Sequence, residues 1–415
     1  MVPLVLGIDL GTSGVRIAVL DHEENLLHTQ AASYNTGLCQ PQDWCHGCTD
    51  LIRTIPQQLR SNLRAIAVDG TSGTLLACNQ AGDALGKALP YSAAFPEHQA
   101  LLQTMAPADS PAASCSSSLA RALELLKTHP STALLRHQAD WINGWLLHDW
   151  RWGEEGNNLR LGWELDKERW IPALQEEPWR ARLPVIKPSG TVLGGLPAER
   201  AKQLGLGRGV LVVAGTTDSN AAVLASAPKL DDGITVLGTT LVMKRFTETP
   251  IHAIGITRHR ISGQWLCGGA SNAGAGVLRR FFTDAELVEL SRQINPEKDS
   301  GLELLPLPAQ GERFPVDDPT LQPILEPRPV SDALYLQALL EGLASIEARG
   351  WERLQQLGAR KPQRVISLGG GARNPQWRRI RERKLGCSVV SCLQPPAAGV
   401  ARLALEGLAK AQSND

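Results

Sequence analysis

The chain has 415 residues, enough for two domains with separate cores. Lys plus Arg (42) equals Asp plus Glu (42), so no net charge draws it to nucleic acid or to an anionic membrane. No apolar run is long enough to span a bilayer, and the eight cysteines lack the spacing of a disulfide-stapled secreted domain.

The start, MVPLVLGIDL, has no basic region or small-residue cleavage site and runs straight into a strand. No signal peptide is expected, while a removed organelle-targeting segment stays open. The class left is a reduced, cytoplasmic enzyme acting on small molecules, as a monomer or small homo-oligomer.

Leu4 to Arg16 read LVLGIDLGTSGVR. Two apolar runs flank Asp9 and the turn Gly11-Thr12-Ser13-Gly14. Such a turn can fold N–H groups and hydroxyls around a phosphate. The carboxylate before it can hold a divalent cation, directly or through water. An ordinary hairpin, with Asp9 as a turn residue, reads from the same letters. A third strand, NLLHTQAAS, follows the turn HEEN. A helix is expected over Thr49 to Leu59, then strands RAIAVDG and TLLACN around Gly70-Thr71-Ser72-Gly73.

Cys39, Cys45 and Cys48, with His46 between, hold one C-x-x-C; with no second one they read as loop thiols before a zinc site. Pro107 to Ser118 reads as a loop leading into the helix LARALELLKTH. Trp141 to Trp179 holds seven of the eleven tryptophans, which read as core between helices before sugar- or base-stacking rings. Asp140-Trp141 reads as a helix start.

A turn-rich stretch, Lys187 to Leu196, precedes the helix AERAKQLG. The strand VLVVAG then runs into Thr216-Thr217-Asp218-Ser219-Asn220 and a helix through Ser226. The domain boundary is expected at Pro228 to Gly233. That gives lobes 1–227 and 228–392, with a terminal helix, 393–415, returning to the first lobe. ITVLGTTLVMKRF repeats the strand–turn–strand layout around Gly238-Thr239-Thr240, as a duplicated α/β unit would. Residues 295–331 read as irregular. Ser331 to Gln356 reads as a long amphipathic helix with Leu334, Leu336, Leu339, Leu343, Ile346 and Leu354 in the core. RVISLG leads to Gly369-Gly370-Gly371-Ala372-Arg373-Asn374, a helix from Pro375, the strand CSVVSC and the helix AAGVARLALEGLA. Three turns at strand ends are places where open α/β sheets bind ligands.

In order and spacing these turns resemble the FGGY carbohydrate kinase family. Asp9, Gly11, Thr12 and Arg16 match its first phosphate motif, D-x-G-T-x-x-x-R, and Gly238-Thr239-Thr240 its second. Gly369-Gly370-Gly371-Ala372 matches the adenosine motif. Thr217-Asp218-Ser219 looks like the catalytic aspartate segment, and Cys267 to Gly274 like the glycine-rich strand-to-helix segment. The short chain and the turn Asp69 to Thr74 look like a compact branch, the cyanobacterial and plant ribulose/xylulose kinase-like proteins. One stretch departs. Where many members carry W-x-D-x-R, this chain reads Pro90-Tyr91-Ser92-Ala93-Ala94-Phe95-Pro96, without the Asp or the Arg, so substrate identity does not carry over.

The resemblance implies an α/β, two-lobed actin/hexokinase-like ATPase fold, built of ribonuclease H-like domains around a central cleft, with ATP and Mg²⁺ as cofactors. The reaction implied is in-line phosphoryl transfer to a terminal hydroxyl of a small ketose, D-ribulose before D-xylulose or a glycerol-type polyol. An actin- or chaperone-like ATPase switch and a catalytically silent sugar-binding regulator are the other classes. Asp218 is the candidate general base; on the residues alone it also reads as a helix cap. Asp9 would orient Mg²⁺ through water. Gly11, Thr12, Ser13, Gly238, Thr239, Thr240 and Gly274 would hold the phosphates. Arg16 would meet a phosphate or be a solvated strand residue. Gly370, Gly371 and Asn374 would line the adenosine slot, and Trp377 would flank the adenine or sit in the core. Ser72, Asp9 and Asp218 are the first candidates for sugar hydroxyls, Asp69 and Asn157 the next.

Overall fold

The computed structural model describes residues 3–129 and 133–413, which fall into two units. Unit 1 takes residues 1–225, 260–263 and 394–415, and unit 2 takes 226–259 and 264–393. No helix among the described residues is long and apolar enough to cross a membrane.

Unit 1 is built on a six-stranded sheet in the order Val192–Gly195, Leu211–Thr217, Leu63–Gly70, Leu4–Leu10, Gly14–Leu20, Leu26–Ser33. Leu4–Leu10 is buried at every position, as a strand covered on both faces must be. Side chains alternate across the sheet. On one face Leu4, Leu6, Ile8 and Leu10 share a core with Trp44, Cys48, Leu51 and Ile52 of the helix Pro41–Thr54. On the other, Gly7 lets the terminal helix Pro396–Ser413 approach so closely that a Cβ at Gly7 would lie 1.9 Å from the Ala397 carbonyl oxygen.

Five strands of unit 2 repeat this pattern. Gln264–Ala270, Leu241–Thr247 and Asp232–Leu237 pair antiparallel, and Asp232–Leu237, Arg364–Leu368 and Ser388–Ser391 pair parallel. Leu26–Ser33, Gly14–Leu20, Leu4–Leu10, Leu63–Gly70 and Leu211–Thr217 run in the same order and the same senses. The duplicated unit suggested by the second Gly-Thr turn is thus visible in the topology. Behind the second sheet, Arg381 on the helix Pro375–Leu385 makes a two-pronged ion pair with Glu347 on the helix Asp332–Gln356. Both side chains are buried, and Thr235 and Ser367 of the sheet complete the network.

The expected elements need three corrections. The helix expected from Thr49 begins at Pro41 and ends before Pro56; a proline fits the first helical position and disfavours helix in the residue before it. Leu75–Cys78 is a strand, as expected, and it pairs with Leu134–His137 in a separate two-stranded ribbon. Cys45 and Cys48 are on the helix Pro41–Thr54, where Cys48 packs in the core, so they are not loop thiols. Leu334 of the long helix is exposed, whereas Leu336, Leu339, Leu343, Ile346 and Leu354 are buried. Trp141, Trp170 and Trp179 are core residues.

Candidate active site

Three adjacent parallel strands of unit 1 end in acids. The register sets Asp9 beside Asp69 across one pair and Gly70 beside Thr217 across the next, and Asp218 follows Thr217 as the first residue of the helix Asp218–Ala225. Asp9 is 2% exposed and Asp69 fully buried. Antiparallel pairing on the other side sets Arg16 against Asp9, and Arg16 Nη1 donates to Asp9 Oδ2 at 3.2 Å. Arg16, expected at a phosphate or in solvent, therefore neutralises part of the buried charge.

Neither oxygen of Asp69 finds a hydrogen-bond partner among the described residues. Burial, then the charges of Asp9 and Asp218, push its carboxyl well above the usual carboxylate range. Burial also raises Asp9, and neighbouring Asp69 and Arg16 hold that rise back. A magnesium ion takes hard oxygen ligands and keeps several waters. The carboxylate of Asp9, with orphaned acceptor oxygens beside it, fits a hydrated cation of this kind.

The turns on either side are closed by short bonds. Gly11 N donates to Gly14 O at 3.0 Å, and Thr12 and Ser13 stand exposed at the tip. In the turn after Leu63–Gly70, Ser72 is half-buried. Its neighbours Thr71 and Thr74 are bonded through their hydroxyls at 2.6 Å, and Thr71 Oγ1 donates to Gln138 Oε1 at 2.7 Å. Gln138 Nε2 in turn donates to the Tyr34 hydroxyl at 3.3 Å. Burial, followed by the charges of Cys48 and Asp9, drives the Tyr34 phenol above its ordinary value, so this buried polar chain reaches the surroundings of Asp9. Gln138 and Tyr34 carry no local motif, and the sequence reading missed them.

Asp218 Oδ1 accepts from the Ser219 amide at 2.7 Å in the first turn of its helix. Asn157 is 2% exposed and donates to Thr216 O at 3.4 Å and to Glu154 Oε2 at 3.0 Å. Its Oδ1 has no partner among the described residues, which leaves an acceptor on a side chain bonded to Thr216, two residues before Asp218.

Unit 2 offers glycines where unit 1 offers acids. Gly238 N closes its turn by donating to Thr240 O at 3.2 Å, and Ala275 N and Gly276 N donate to the carbonyls of Gly238 and Thr239. A Cβ on Gly274 would stand 2.4 Å from Thr239 O, so the glycine is required for that approach. Gly369 adopts φ +84°, and a Cβ on Gly370 would meet nothing within 4 Å, so that turn opens to free space. A Cβ on Gly371 would stand 2.5 Å from the Trp377 ring. Trp377 is 2% exposed and lies in the apolar core of unit 2; of its two expected positions the core is the one observed, because Gly371 lets the indole pack inward. Asn374 spends its amide on structure: Oδ1 caps the following helix at Trp377 N, and Nδ2 donates to Ser291 Oγ.

Residues 233–407 match the model described as the FGGY family of carbohydrate kinases, C-terminal domain. Among curated proteins, "Putative sugar kinase YoaC" of Bacillus subtilis (strain 168) is 33% identical over 117 residues, 27% of this chain and 24% of the relative. The match thus spans about a quarter of that relative's length. Among solved structures, a "xyloylose kinase" from Brucella ovis superposes with a TM-score of 0.84 at 18% identity, covering 98% of this chain and 91% of that one. Glycerol kinase of Plasmodium falciparum with ADP gives 0.81 at 15% identity, covering 98% and 90%. Gluconate kinase from Lactobacillus acidophilus gives 0.79 at 15% identity, covering 99% and 90%. At these identities the structures establish the fold, which is the two-domain actin/hexokinase-like one expected.

Proposed function

From the match of residues 233–407 to the C-terminal domain of the FGGY carbohydrate kinases, we propose that the chain is an ATP-dependent kinase of a small ketose, D-ribulose before D-xylulose or a polyol. One observation carries the reading: Asp9, Asp69 and Asp218 end three neighbouring parallel strands. Open α/β sheets bind ligands at such ends, and a hydroxyl that must lose a proton needs a carboxylate within reach.

In this reading the carboxylate of Asp218 accepts the proton of the acceptor hydroxyl as its oxygen bonds to the γ-phosphorus. Placement of this kind contributes about 10²–10⁴-fold in rate. The unpartnered oxygens of Asp69 and Asn157 orient the neighbouring hydroxyls, and Ser72 takes a further one. Thr12 and Ser13 of unit 1 and Thr239 and Thr240 of unit 2 offer hydroxyl and amide donors to phosphate oxygens. Gly370 and Gly371 leave room for the nucleoside. Asp9 would hold Mg²⁺ through water; when bound, that ion neutralises charge on the phosphates. Arg16 favours the charged form of Asp9 against the effect of burial.

The preference for a pentulose rests on the compact-branch resemblance of the Asp69–Thr74 turn. The test is an ADP-coupled screen of pentuloses, hexuloses, aldonates and polyols with Mg²⁺ and ATP. D-Ribulose should give the highest kcat/KM. ADP release that no sugar accelerates would sink the kinase and leave a nucleotide switch.

A further inference from the structure

The stretch Pro90–Phe95, which lacks the Asp and Arg expected of a sugar-contacting segment, is not left loose. Arg121, on the helix Ser118–Thr128, reaches it from beneath. Its Nε donates to Pro90 O at 2.8 Å and its Nη2 to Ala93 O at 3.0 Å and to Tyr91 O. One planar guanidinium thereby grips three carbonyls of one loop. The side chain is 0% exposed, and among the described residues no carboxylate pairs with it. A buried cation held only by carbonyl dipoles costs stability relative to an apolar residue, so it calls for a reason beyond packing.

The same guanidinium abuts the turn that carries Ser72. A Cβ on Gly73, which has φ +104°, would lie 3.4 Å from Arg121 Nη1 and 3.8 Å from Tyr91 Cβ. Nη1 itself is buried and has no partner among the described residues. From the other side the Tyr91 amide donates to Thr74 Oγ1 at 3.2 Å, and Thr74 belongs to the hydroxyl pair that leads to Gln138. The loop is therefore bonded to the turn segment through Thr74, and Arg121, bonded to the loop, packs against Gly73.

We propose that Arg121 is a positioning residue for the acceptor sugar, whose guanidinium fixes the Pro90–Ala93 loop against the Ser72–Gly73 turn and so supplies by backbone placement what that loop lacks in polar side chains. The proposal rests on the reading of the Ser72 turn as a sugar site. Burial, and then the charge of Arg160, lower the guanidinium to about 10, so it stays charged at neutral pH and no pH step is expected from it. Lysine cannot replace it, because a single ammonium does not reproduce the planar fork.

The test uses the full chain with Arg121→Lys and Arg121→Ala, and Ser72→Ala beside them. Readouts are the Kd of D-ribulose by calorimetry, kcat and both KM values, and amide exchange at Tyr91 and Ala93. Loss of the fork should weaken sugar binding about tenfold or more, with kcat and the KM for ATP within about twofold of native. Exchange at the two amides should quicken, and methylguanidinium should restore part of the affinity of Arg121→Ala. An unchanged sugar Kd in Arg121→Lys overturns the proposal. So does a parallel loss of sugar and ATP affinity, or failure of both variants to fold, since each assigns Arg121 to general stability. The underlying reading fails separately: if Ser72→Ala leaves the sugar Kd unmoved while Arg121→Lys raises it, the clamp stands and Ser72 does not. Sugar binding weakened in Arg121→Lys with no turnover in the native chain keeps the clamp and removes the kinase.

Discussion

The two sheets share strand order and pairing senses, yet equivalent positions hold opposite chemistry. With Gly11-Thr12 set against Gly238-Thr239, Asp9 corresponds to Val236. The register then pairs Asp9 with Arg16 and Asp69 in unit 1, and Val236 with Val242 and Leu368 in unit 2. One copy buries two acids at the strand ends beside a partly exposed guanidinium; the other holds half-buried Val236 and Val242 and buried Leu368 there and keeps only the glycine turn. The comparison separates two contributions. Topology brings strand ends and turns together, while the residue in one register position decides whether that end can handle a proton or only bind.

The sharpest way to break this contrast is at Asp218. Asp218→Ala should lose about 10²–10⁴-fold in kcat, with the urea midpoint and ADP affinity near native. A variant that keeps most of its kcat would remove Asp218 as the base. Next comes the interior of unit 2, where polarity serves structure. Glu347→Ala strands Arg381 without its partner and should cost about 3–5 kcal/mol, read from urea unfolding followed by Trp fluorescence. A loss below about 1 kcal/mol would mean that the pair is dispensable.

A smaller effect is expected at the unit 2 turn. In Gly274→Ala the methyl meets the Thr239 carbonyl, and overpacking of this kind costs about 1–3 kcal/mol. The KM for ATP should rise about tenfold for 1.4 kcal/mol of that cost expressed in binding, with the Kd of the sugar unchanged. Equal damage to both would show that the turn does not act on the nucleotide alone.

The smallest effect has a definite sign. The folded-state pKa of Asp69 is raised above its unfolded value, so the folded chain keeps a proton that the unfolded chain releases. Native stability contributed at this site is therefore highest below about pH 4 and falls as pH rises toward the folded value. Asp69→Asn removes that slope. The variant should melt above native at pH 8, and the gap should close as pH approaches 4. A gap that widens toward acid would mean that Asp69 is ionised in the folded state.

Much of this was readable in order along the chain. The strand–turn–strand repeats around Gly11 and Gly238, the long helix after Ser331 and the acid at Asp218 follow from hydrophobic period and glycine placement, which act over a few residues. Arg121 left a faint signal, a lone cation on the apolar stripe of LARALELLKTH, but its target lies 31 residues back. The start of the helix Pro41–Thr54 was missed because Trp44 and Cys48 carry its core face, where leucines were sought.

By itself, then, the sequence determined the local devices: tight glycine turns, their order and the acids near them, because backbone sterics and side-chain period operate at short range. Only the tertiary structure decided the company those devices keep. Asp69 stands beside Asp9, Gln138 meets Thr71 across 67 residues and Arg16 turns to Asp9. Strand register and burial make those choices, and neither acts until distant segments pack.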